Sequence, residues 1–364
     1  MSKKLKVAVI GTGMIANAAH LPAWKDLGDE VEVVGVSDIR KEAAEDTAKR
    51  FGVPRAYTDP QKMLDEVQPD IVSVCTPNVY HKQWTIASLK VGAHVFCEKP
   101  LAVSHADAVD MYATAERLGK MLYIAQTTRF FNEYIAAKDL VSTGALGEIY
   151  YAEINAIRRR GIPKWGYFHM KKDNAGGPVY DLGVHTIDSL IWLTGNPKVK
   201  SVNGMTYLKL GNKDEGLFTS VSESGAPIGA FVPRPYDYRE FDVEDFATGY
   251  IRFHNDMTVL FKTSWAVNMS EDFSVRIVGT NASIQLPPLK MLNNFSRYQV
   301  DVVPRVPKDR DVIFFGHYGA TVNMLKALRG EEEVVVKKEE VLNVIRTIEA
   351  LYKSAEVGHE IVFD

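Results

Sequence analysis

The sequence predicts an α/β protein that begins with a doubly wound parallel sheet and continues into an α+β part with a large, mostly antiparallel open sheet. Strand and helix patterns alternate along the first third of the 364 residues, and a glycine-rich turn follows the first strand pattern. After about residue 127 the sequence becomes richer in strand patterns. These three observations place two domains at residues 1–126 and 127–364.

The first domain is predicted from five short apolar runs that alternate with helical patterns. The runs cover residues 5–11, 31–38, 70–77, 93–100 and 120–126, and the helical patterns cover 14–28, 40–51, 60–66, 78–91 and 104–118. Asp59 before Pro60 is typical of a helix start, and Ser104 with Asp107 resembles a capping box. Regular alternation of this kind indicates βαβ units, with helices on both faces of a parallel sheet.

The second domain is predicted from longer strand patterns and fewer helices. A helix is expected within 130–147 and another over 338–357, where apolar residues recur at helical spacing. Strands are expected at 148–158, 198–210, 246–256, 257–267 and 274–286. Consecutive strands separated by short turns favour an antiparallel sheet.

Composition limits the function classes. Hydrophobic residues make up 46% and charged residues 24%, as in ordinary globular proteins, and the net charge of −3 gives no reason to expect nucleic acid or an anionic membrane as a partner. No apolar stretch is long enough to span a bilayer. Cys75 and Cys97 end apolar runs and are interpreted as small buried hydrophobes. A cytoplasmic location is the resulting expectation.

The first apolar run leads into the turn GTGMIA at residues 11–16. In such a turn Gly11 permits the tight bend, Gly13 lets the backbone approach a pyrophosphate, and Ala16 allows close packing of the following helix. Free N–H groups and the dipole of that helix favour the phosphates. We therefore predict dinucleotide binding, with Met14 and Ile15 beside the two glycines.

Asp38 ends the second strand pattern, 22 positions after Ala16. An acidic residue at this place accepts hydrogen bonds from the adenosine ribose hydroxyls and repels the extra phosphate of NADP. Arg40 and Ser37 leave an alternative open, because both are able to contact a 2′-phosphate. Arg40 is also compatible with lying over the adenine or in solvent. The sequence favours NAD over NADP.

Polar residues follow two further strand patterns. Thr76, Asn78 and His81 follow the third strand, and Glu98 and Lys99 follow the fourth. Ligands of doubly wound sheets bind beyond the carboxyl ends of the strands, so these side chains are expected near the cofactor. Lys99 is suited to hold a substrate hydroxyl beside the nicotinamide. The alternative is a surface ion pair between Glu98 and Lys99 that contributes little.

A predicted helix within 174–195 carries Asp181, His185 and Asp188 on one face. Histidine is the common base near neutral pH, and a carboxylate one turn away is able to orient its ring. We expect His185 to titrate in the ordinary histidine range. A packed core histidine is the alternative, and a metal site formed by Asp181, His185 and His169 is a weaker one without compact ligand spacing.

Three arginines follow one another at residues 158–160. On a strand, Arg158 and Arg160 share a face and are able to meet an oxygen-rich or anionic substrate. A solvated charged surface is the alternative. Trp165, in the same segment, is assigned to the substrate side with them.

The motifs together resemble the Gfo/Idh/MocA oxidoreductases. The matching stretches are GTGMIANAAHLPA, SD, TPNVYH, GAHVFCEKPLA, RF, GGPVYDLGVHTID and SW, which run in family order along essentially the whole chain. The resemblance implies a Rossmann domain followed by a sheet domain that often forms dimers or tetramers. RRRGIP resembles a stretch of sugar-acting members, whereas QTTRFF departs from the expected N-x-RF pattern.

The resemblance also implies roles for individual residues. It assigns Lys99 to the reacting hydroxyl, His185 to acid–base catalysis and Asp181 to substrate binding beside it, and the RF motif places Arg129 with the substrate residues. Cofactor contacts are implied for Gly11, Gly13, Asp38, Asn78, His81 and Glu98.

The resulting prediction is an NAD-dependent dehydrogenase that acts on a secondary alcohol of a sugar or cyclitol. His185 would remove the hydroxyl proton and Lys99 would stabilise the developing alkoxide. Two alternatives are an NAD-dependent glycosidase of the same fold and a non-catalytic NAD-binding sensor. A sensor is expected to lack the lysine or the histidine, and both are present.

Overall fold

The computed structural model describes residues 4–214, 224, 226–227, 229–310 and 314–363. Two sheets organise the chain, one of six strands and one of nine. The α/β prediction, with a parallel sheet followed by a mostly antiparallel one, is confirmed. Within the described residues, no helix combines the length and the apolar character that crossing a membrane requires.

The first sheet is parallel throughout and has the strand order β3-β2-β1-β4-β5-β6. Its strands are β1 Leu5–Ile10, β2 Val31–Ser37, β3 Ala56–Tyr57, β4 Ile71–Val74, β5 His94–Cys97 and β6 Leu122–Ile124. The order reverses between β1 and β4, which is where a doubly wound sheet binds its ligand. Five of the six strands were predicted, and the two-residue β3 was not.

The connecting helices are α1 Leu21–Asp26, α2 Lys41–Phe51, α3 Pro60–Val67, α4 His81–Lys90 and α5 His105–Arg117. The Asp59 carboxylate accepts from Gln61 N at 2.9 Å, and Ser104 Oγ accepts from Asp107 N at 3.1 Å, so both predicted caps form. The helix predicted over 14–28 differs, because a π-helical segment, Ala16–His20, precedes α1. A 3₁₀ segment, Asn78–Tyr80, precedes α4.

The second sheet has the order β14-β13-β12-β11-β7-β10-β9-β8-β15, and its one parallel pairing among the described strands joins β10 to β7. The strands are β7 Ile149–Ile157, β8 Val199–Tyr207, β9 Phe246–Phe253, β10 Thr258–Ser264, β11 Asp272–Gly279, β12 Ser283–Leu286, β13 Lys290–Phe295, β14 Tyr298–Val302 and β15 Ile361–Val362. The run 274–286 therefore contains two strands, and β13, β14 and β15 were not predicted.

The remaining helices are α6 Asn132–Ser142, α7 Lys171–Asn174, α8 Val184–Leu193, α9 Phe315–Leu328 and α10 Lys338–Val357. The bounds of α10 agree with the prediction, whereas α9 was missed. A π-helical segment, Val179–Gly183, precedes α8, and 3₁₀ segments cover Thr127–Phe130 and Tyr238–Glu240.

Each sheet has its own hydrophobic core, and helix α10 contributes side chains to both cores. Val344, Ile348 and Leu351 of α10 are buried against the second sheet, while Val341 and Ile345 join the core of the first sheet together with residues of α9. Each large apolar side chain buried in this way contributes about 1.5–3 kcal/mol. The last fifty residues therefore tie both sheets together, and the domain boundary at 126/127 stays a prediction.

Candidate active site

A cavity of about 680 Å³ lies beyond the carboxyl ends of the parallel strands and is walled by residues from both parts of the chain. Most of the predicted site residues belong to this wall: Gly11, Gly13, Met14, Ile15, Asp38, Arg40, Thr76, Asn78, His81, Glu98, Lys99, Arg158, Trp165, Asp181 and His185. Arg129 and Arg160, which were predicted to bind substrate, lie elsewhere.

Arg129 is a structural residue. It is 1% exposed, and its guanidinium donates to Asp188 at 2.6 and 3.0 Å, to Val335 O at 3.2 Å and to Glu340. These partners occupy the guanidinium inside the protein, so the structure places Arg129 away from the cavity wall and not with the predicted substrate residues. The contact with Arg129 also explains why Asp188, on the same helix as His185, does not belong to the cavity wall.

The glycine turn has the geometry that a dinucleotide requires. Gly11 has φ +89°, and a Cβ atom there would lie 2.6 Å from Cys75 O, so a side chain is excluded on both grounds. A Cβ at Gly13 would meet no atom within 4 Å, which leaves the backbone open to a ligand. The residues present therefore fit a pyrophosphate.

Asp38 is held in a fixed orientation beside this turn. Its Oδ2 accepts from Thr12 N at 2.9 Å and Thr12 Oγ1 at 3.1 Å, and its Oδ1 accepts from Arg40 N at 2.9 Å. The Arg40 guanidinium lies 3.7 Å from Asp38 and donates to Val232 O at 3.0 Å. The Arg40 guanidinium is held by Val232 O and lies near Asp38, so the Asp38 carboxylate is the group available to a ligand here. A carboxylate suits the ribose hydroxyls of NAD.

His81 joins the two predicted strand ends. One ring nitrogen lies 2.7 Å from Pro100 O and the other lies 2.9 Å from Thr76 O. Burial lowers the pKa of His81, although both carbonyl contacts act to raise it. Both ring nitrogens of His81 therefore contact main-chain oxygens of the protein. His81 would support cofactor binding indirectly, by holding these two loops in place.

Lys99 is oriented by Asp181. Its Nζ donates to Asp181 O at 2.8 Å and to Asp181 Oδ1 at 3.1 Å, while Trp265 Nε1 donates to the other carboxylate oxygen at 2.9 Å. Burial alone would raise the pKa of Asp181, but Lys99 and Arg158 hold it below its usual value. An ammonium group has three donors, so this arrangement leaves one for a substrate oxygen.

His185 differs from the prediction in its surroundings. The two oxygens of the Asp181 side chain accept from Lys99 and Trp265, and among the described residues no hydrogen bond joins Asp181 to the His185 ring. Nδ1 of His185 is buried and has no hydrogen-bond partner in the described part of the chain. Burial and the nearby Lys99 together lower the pKa of His185 to about 3, although Asp181 opposes the shift. The expected titration in the ordinary histidine range is therefore wrong.

A buried histidine–carboxylate cluster lies directly behind Lys99. Glu98 Oε1 accepts from Nε2 of His20 at 2.8 Å and Nε2 of His317 at 2.9 Å, and Oε2 accepts from Lys99 N at 3.1 Å. Burial raises the pKa of Glu98, but the two histidines hold it well below the usual value. The predicted alternative of a Glu98–Lys99 surface pair is wrong, since Glu98 is 5% exposed and bound to the two rings.

Sequence reasoning missed both histidines of this cluster. His20 lies in the π-helical segment and His317 in the unpredicted helix α9. They are 78 and 219 positions from Glu98, so no local spacing indicates the contact. The three side chains lie close enough to hold a metal, with ligand atoms within 4.8 Å of one another. The two hydrogen bonds to one carboxylate oxygen account for the arrangement without an ion.

The metal site considered from sequence does not assemble. His169 lies 3.7 Å from Glu240 and packs edge-on against Tyr236, away from the cavity wall that holds Asp181 and His185. The described residues therefore give no support to that ligand set.

The arginine run splits into two environments. Arg158 belongs to the cavity wall and donates to Gly161 O at 3.2 Å and Ser224 O at 2.9 Å. Arg160 donates to Val267 O at 3.1 Å and Asn268 Oδ1 at 2.9 Å. The structure places Arg160 outside the cavity wall, because β7 ends at Ile157 and strand alternation no longer applies to it. Trp165, 4% exposed, belongs to the wall as predicted.

Comparison with known proteins agrees with this geometry. A family model described as the oxidoreductase family, NAD-binding Rossmann fold, with the short name GFO_IDH_MocA, matches residues 5–126, and that of its C-terminal alpha/beta domain matches residues 138–363. The chain is 33% identical over 359 residues to the D-glucoside 3-dehydrogenase of Escherichia coli K12, covering 98% of this chain and 97% of that one.

Solved structures share the fold. GenD2 from gentamicin A biosynthesis, in complex with NAD, superposes with a TM-score of 0.80 at 22% identity, covering 100% of this chain and 97% of that one. The WlbA dehydrogenase of Bordetella pertussis, in complex with NADH and UDP-GlcNAcA, superposes with a TM-score of 0.76 at 22% identity, covering 100% and 99%.

Proposed function

Since the chain belongs to the Gfo/Idh/MocA family of NAD-binding oxidoreductases, we propose that it oxidises a secondary hydroxyl of a sugar or cyclitol, and that a D-glucoside is the substrate to test first. The observation that carries the proposal is the joint presence of Lys99, Asp181 and His185 in the wall of the cavity that fits a dinucleotide. The D-glucoside 3-dehydrogenase relative, matched over 98% of this chain, supports the choice of substrate and of its 3-hydroxyl.

In this proposal the side chains divide the work on one alcohol group. Lys99, oriented by Asp181, donates a hydrogen bond to the hydroxyl oxygen and stabilises the negative charge that develops on it. His185 is kept neutral by its surroundings and accepts the hydroxyl proton. Bound NAD supplies the acceptor for the hydride that leaves the carbon. Glu98, held by His20 and His317, fixes the backbone at Lys99 through its N–H group.

We also propose that the protein forms a homodimer or homotetramer through the outer face of the second sheet. Helices α8 and α10 pack on the inner face, and Met205 and Leu260 are each 42% exposed on strands of the same sheet. The free, buried Cys75 and Cys97 support a reducing cytoplasmic location.

The function is tested with methyl glucosides, free sugars and inositols, following NADH absorbance. Methyl glucoside carrying deuterium at C3 should transfer it to NAD, and Lys99→Met should lower kcat by about a hundredfold. The dissociation constant of Lys99→Met for NADH, measured by fluorescence, should stay within a few-fold of the wild-type value. Release of methanol without deuterium transfer would replace the dehydrogenase by a glycosidase. Tight NADH binding without either reaction would favour a sensor.

A further inference from the structure

Asp173 belongs to the cavity wall but has no part in the proposed hydride transfer. It lies in the short helix α7 and is 7% exposed. Oδ1 accepts from the Tyr80 hydroxyl at 3.2 Å, whereas Oδ2 is buried and has no hydrogen-bond partner among the described residues. A buried carboxylate oxygen without a donor is costly, so a donor from a bound ligand would stabilise it.

The position of Asp173 is fixed by its neighbours. Asn174 accepts from Asn78 N at 3.3 Å through Oδ1 and from Asn78 Nδ2 at 3.1 Å through its main-chain oxygen. Burial raises the pKa of Tyr80, and Asp173 raises it further, so the phenol remains protonated and acts as the donor. Asp173 is therefore an acceptor held against the loop that follows β4, in the wall of the cavity that also holds Lys99 and His185.

The charges around the cavity make Asp173 distinctive. Lys99 pairs with Asp181 at 3.1 Å, and Arg234 donates to Glu240 at 2.7 and 3.1 Å. In the part of the chain that the structure describes, Asp173 has only the uncharged Tyr80 as a side-chain partner and forms no ion pair. The cavity wall also holds Arg158, whose guanidinium donates to main-chain oxygens, so the repulsion of an anion by Asp173 is local to its own carboxylate.

We propose that Asp173 selects the substrate by accepting a hydrogen bond from a hydroxyl of an uncharged sugar ring. Near neutral pH a carboxylate is ionised and a phosphate is mostly dianionic, so either group in that place is a poor donor and is repelled by the Asp173 carboxylate. This inference rests on the proposed function and narrows the substrate class to neutral sugars, with phosphorylated sugars disfavoured.

The experiment compares methyl glucoside with glucose 6-phosphate in wild-type protein and in Asp173→Asn. The asparagine keeps an oxygen for Tyr80 but replaces the unpartnered oxygen by a donor. Dissociation constants are measured on the NADH-bound protein by calorimetry, and kcat/KM is measured where turnover occurs. We expect the wild type to prefer methyl glucoside. Asp173→Asn should weaken the binding of methyl glucoside by about ten- to a hundredfold, the usual effect of losing a charged hydrogen bond. The preference for methyl glucoside over glucose 6-phosphate should fall at least about tenfold.

Tyr80→Phe is the matched control, because it removes the hydroxyl that donates to Asp173 and leaves the carboxylate in place. Tyr80→Phe should keep the preference for methyl glucoside over glucose 6-phosphate within about threefold of the wild-type value. An equal loss of this preference in both variants would mean that Asp173 serves to hold Tyr80. Unchanged dissociation constants for both sugars in Asp173→Asn would overturn the proposal. Weaker NADH binding in Asp173→Asn alone would make it a cofactor contact instead. Sugar binding without hydride transfer in the wild type would overturn the proposed reaction and leave the role of Asp173 standing.

Discussion

Lys99 and His185 carry opposite requirements within one cavity. Lys99 needs to keep its proton in order to stabilise an alkoxide, and His185 needs to be without one in order to act as the base. Asp181 pairs with the Lys99 side chain, while burial and the nearby Lys99 disfavour a positive charge on the His185 ring. The neutral ring of His185 therefore depends on burial and on Lys99, against the opposing effect of Asp181.

The low pKa of His185 has a direct kinetic consequence. A pKa of about 3 leaves the ring neutral across ordinary assay pH, so alcohol oxidation should show no rise in kcat/KM between about pH 5 and 8 that depends on His185. His185→Ala should lower kcat by roughly 10²–10⁴-fold, the usual contribution of a positioned base. The pH profile of wild type and variant, measured with NAD saturating, checks both statements.

The ring can also be followed directly by NMR titration, with His185→Asn used to assign the signal. Lys99→Met removes a cation whose effect is to lower the pKa of His185, so the pKa should rise in that variant. An ordinary histidine pKa in the wild-type protein would show that the ring is well solvated and that burial is not the dominant influence.

At the scale of elements, the strand ends and helix starts of the first sheet were predictable because local chemistry fixes them. The turn after β1, the cap at Asp59 and the lysine after β5 are each encoded within a few residues. The cluster around Glu98 was not predictable, because its members come from three distant segments. The π-helical segments were missed because the apolar pattern there is equally compatible with an α-helix.

The same distinction explains why two of the predicted arginines lie outside the cavity wall. Arg129 follows a family motif, but its partners Asp188 and Glu340 lie 59 and 211 positions away. Arg160 was placed by strand alternation, which fails once the strand has ended. Local pattern gives the type of element, whereas the partner of a charged side chain depends on how elements pack.

Arg129 should matter for stability rather than for substrate binding. It joins the 3₁₀ segment Thr127–Phe130 to Asp188 of α8 and Glu340 of α10. Arg129→Ala leaves buried carboxylates without their cation and should reduce the free energy of unfolding by about 3–5 kcal/mol, measured by urea denaturation.

Arg329→Ala is the matched control, because Arg329 pairs with Glu30 at the surface, where the side chains are 41% and 36% exposed. It should reduce the free energy of unfolding by no more than about 1 kcal/mol. Normal stability in Arg129→Ala together with a raised KM for the sugar would restore the substrate role for Arg129.

At the scale of the whole molecule, the second sheet presents one face to the helices, and the proposed assembly uses the other face. Along β10, Val259 and Phe261 are buried in the core, whereas Leu260 between them is 42% exposed on the opposite face. In a two-fold assembly the same patch meets itself, so one substitution acts twice in each interface.

Leu260→Glu should therefore lower the molar mass in solution. Two glutamates brought into a two-fold interface near its axis repel each other, and their desolvation is unfavourable. The measurement is light scattering after size-exclusion chromatography, with circular dichroism to verify folding. Val109→Glu is the control, since Val109 is 41% exposed but lies on α5, away from the sheet. It should leave the mass unchanged. A monomeric wild type, or an unchanged mass for Leu260→Glu, would mean that the outer face of this sheet does not carry the assembly.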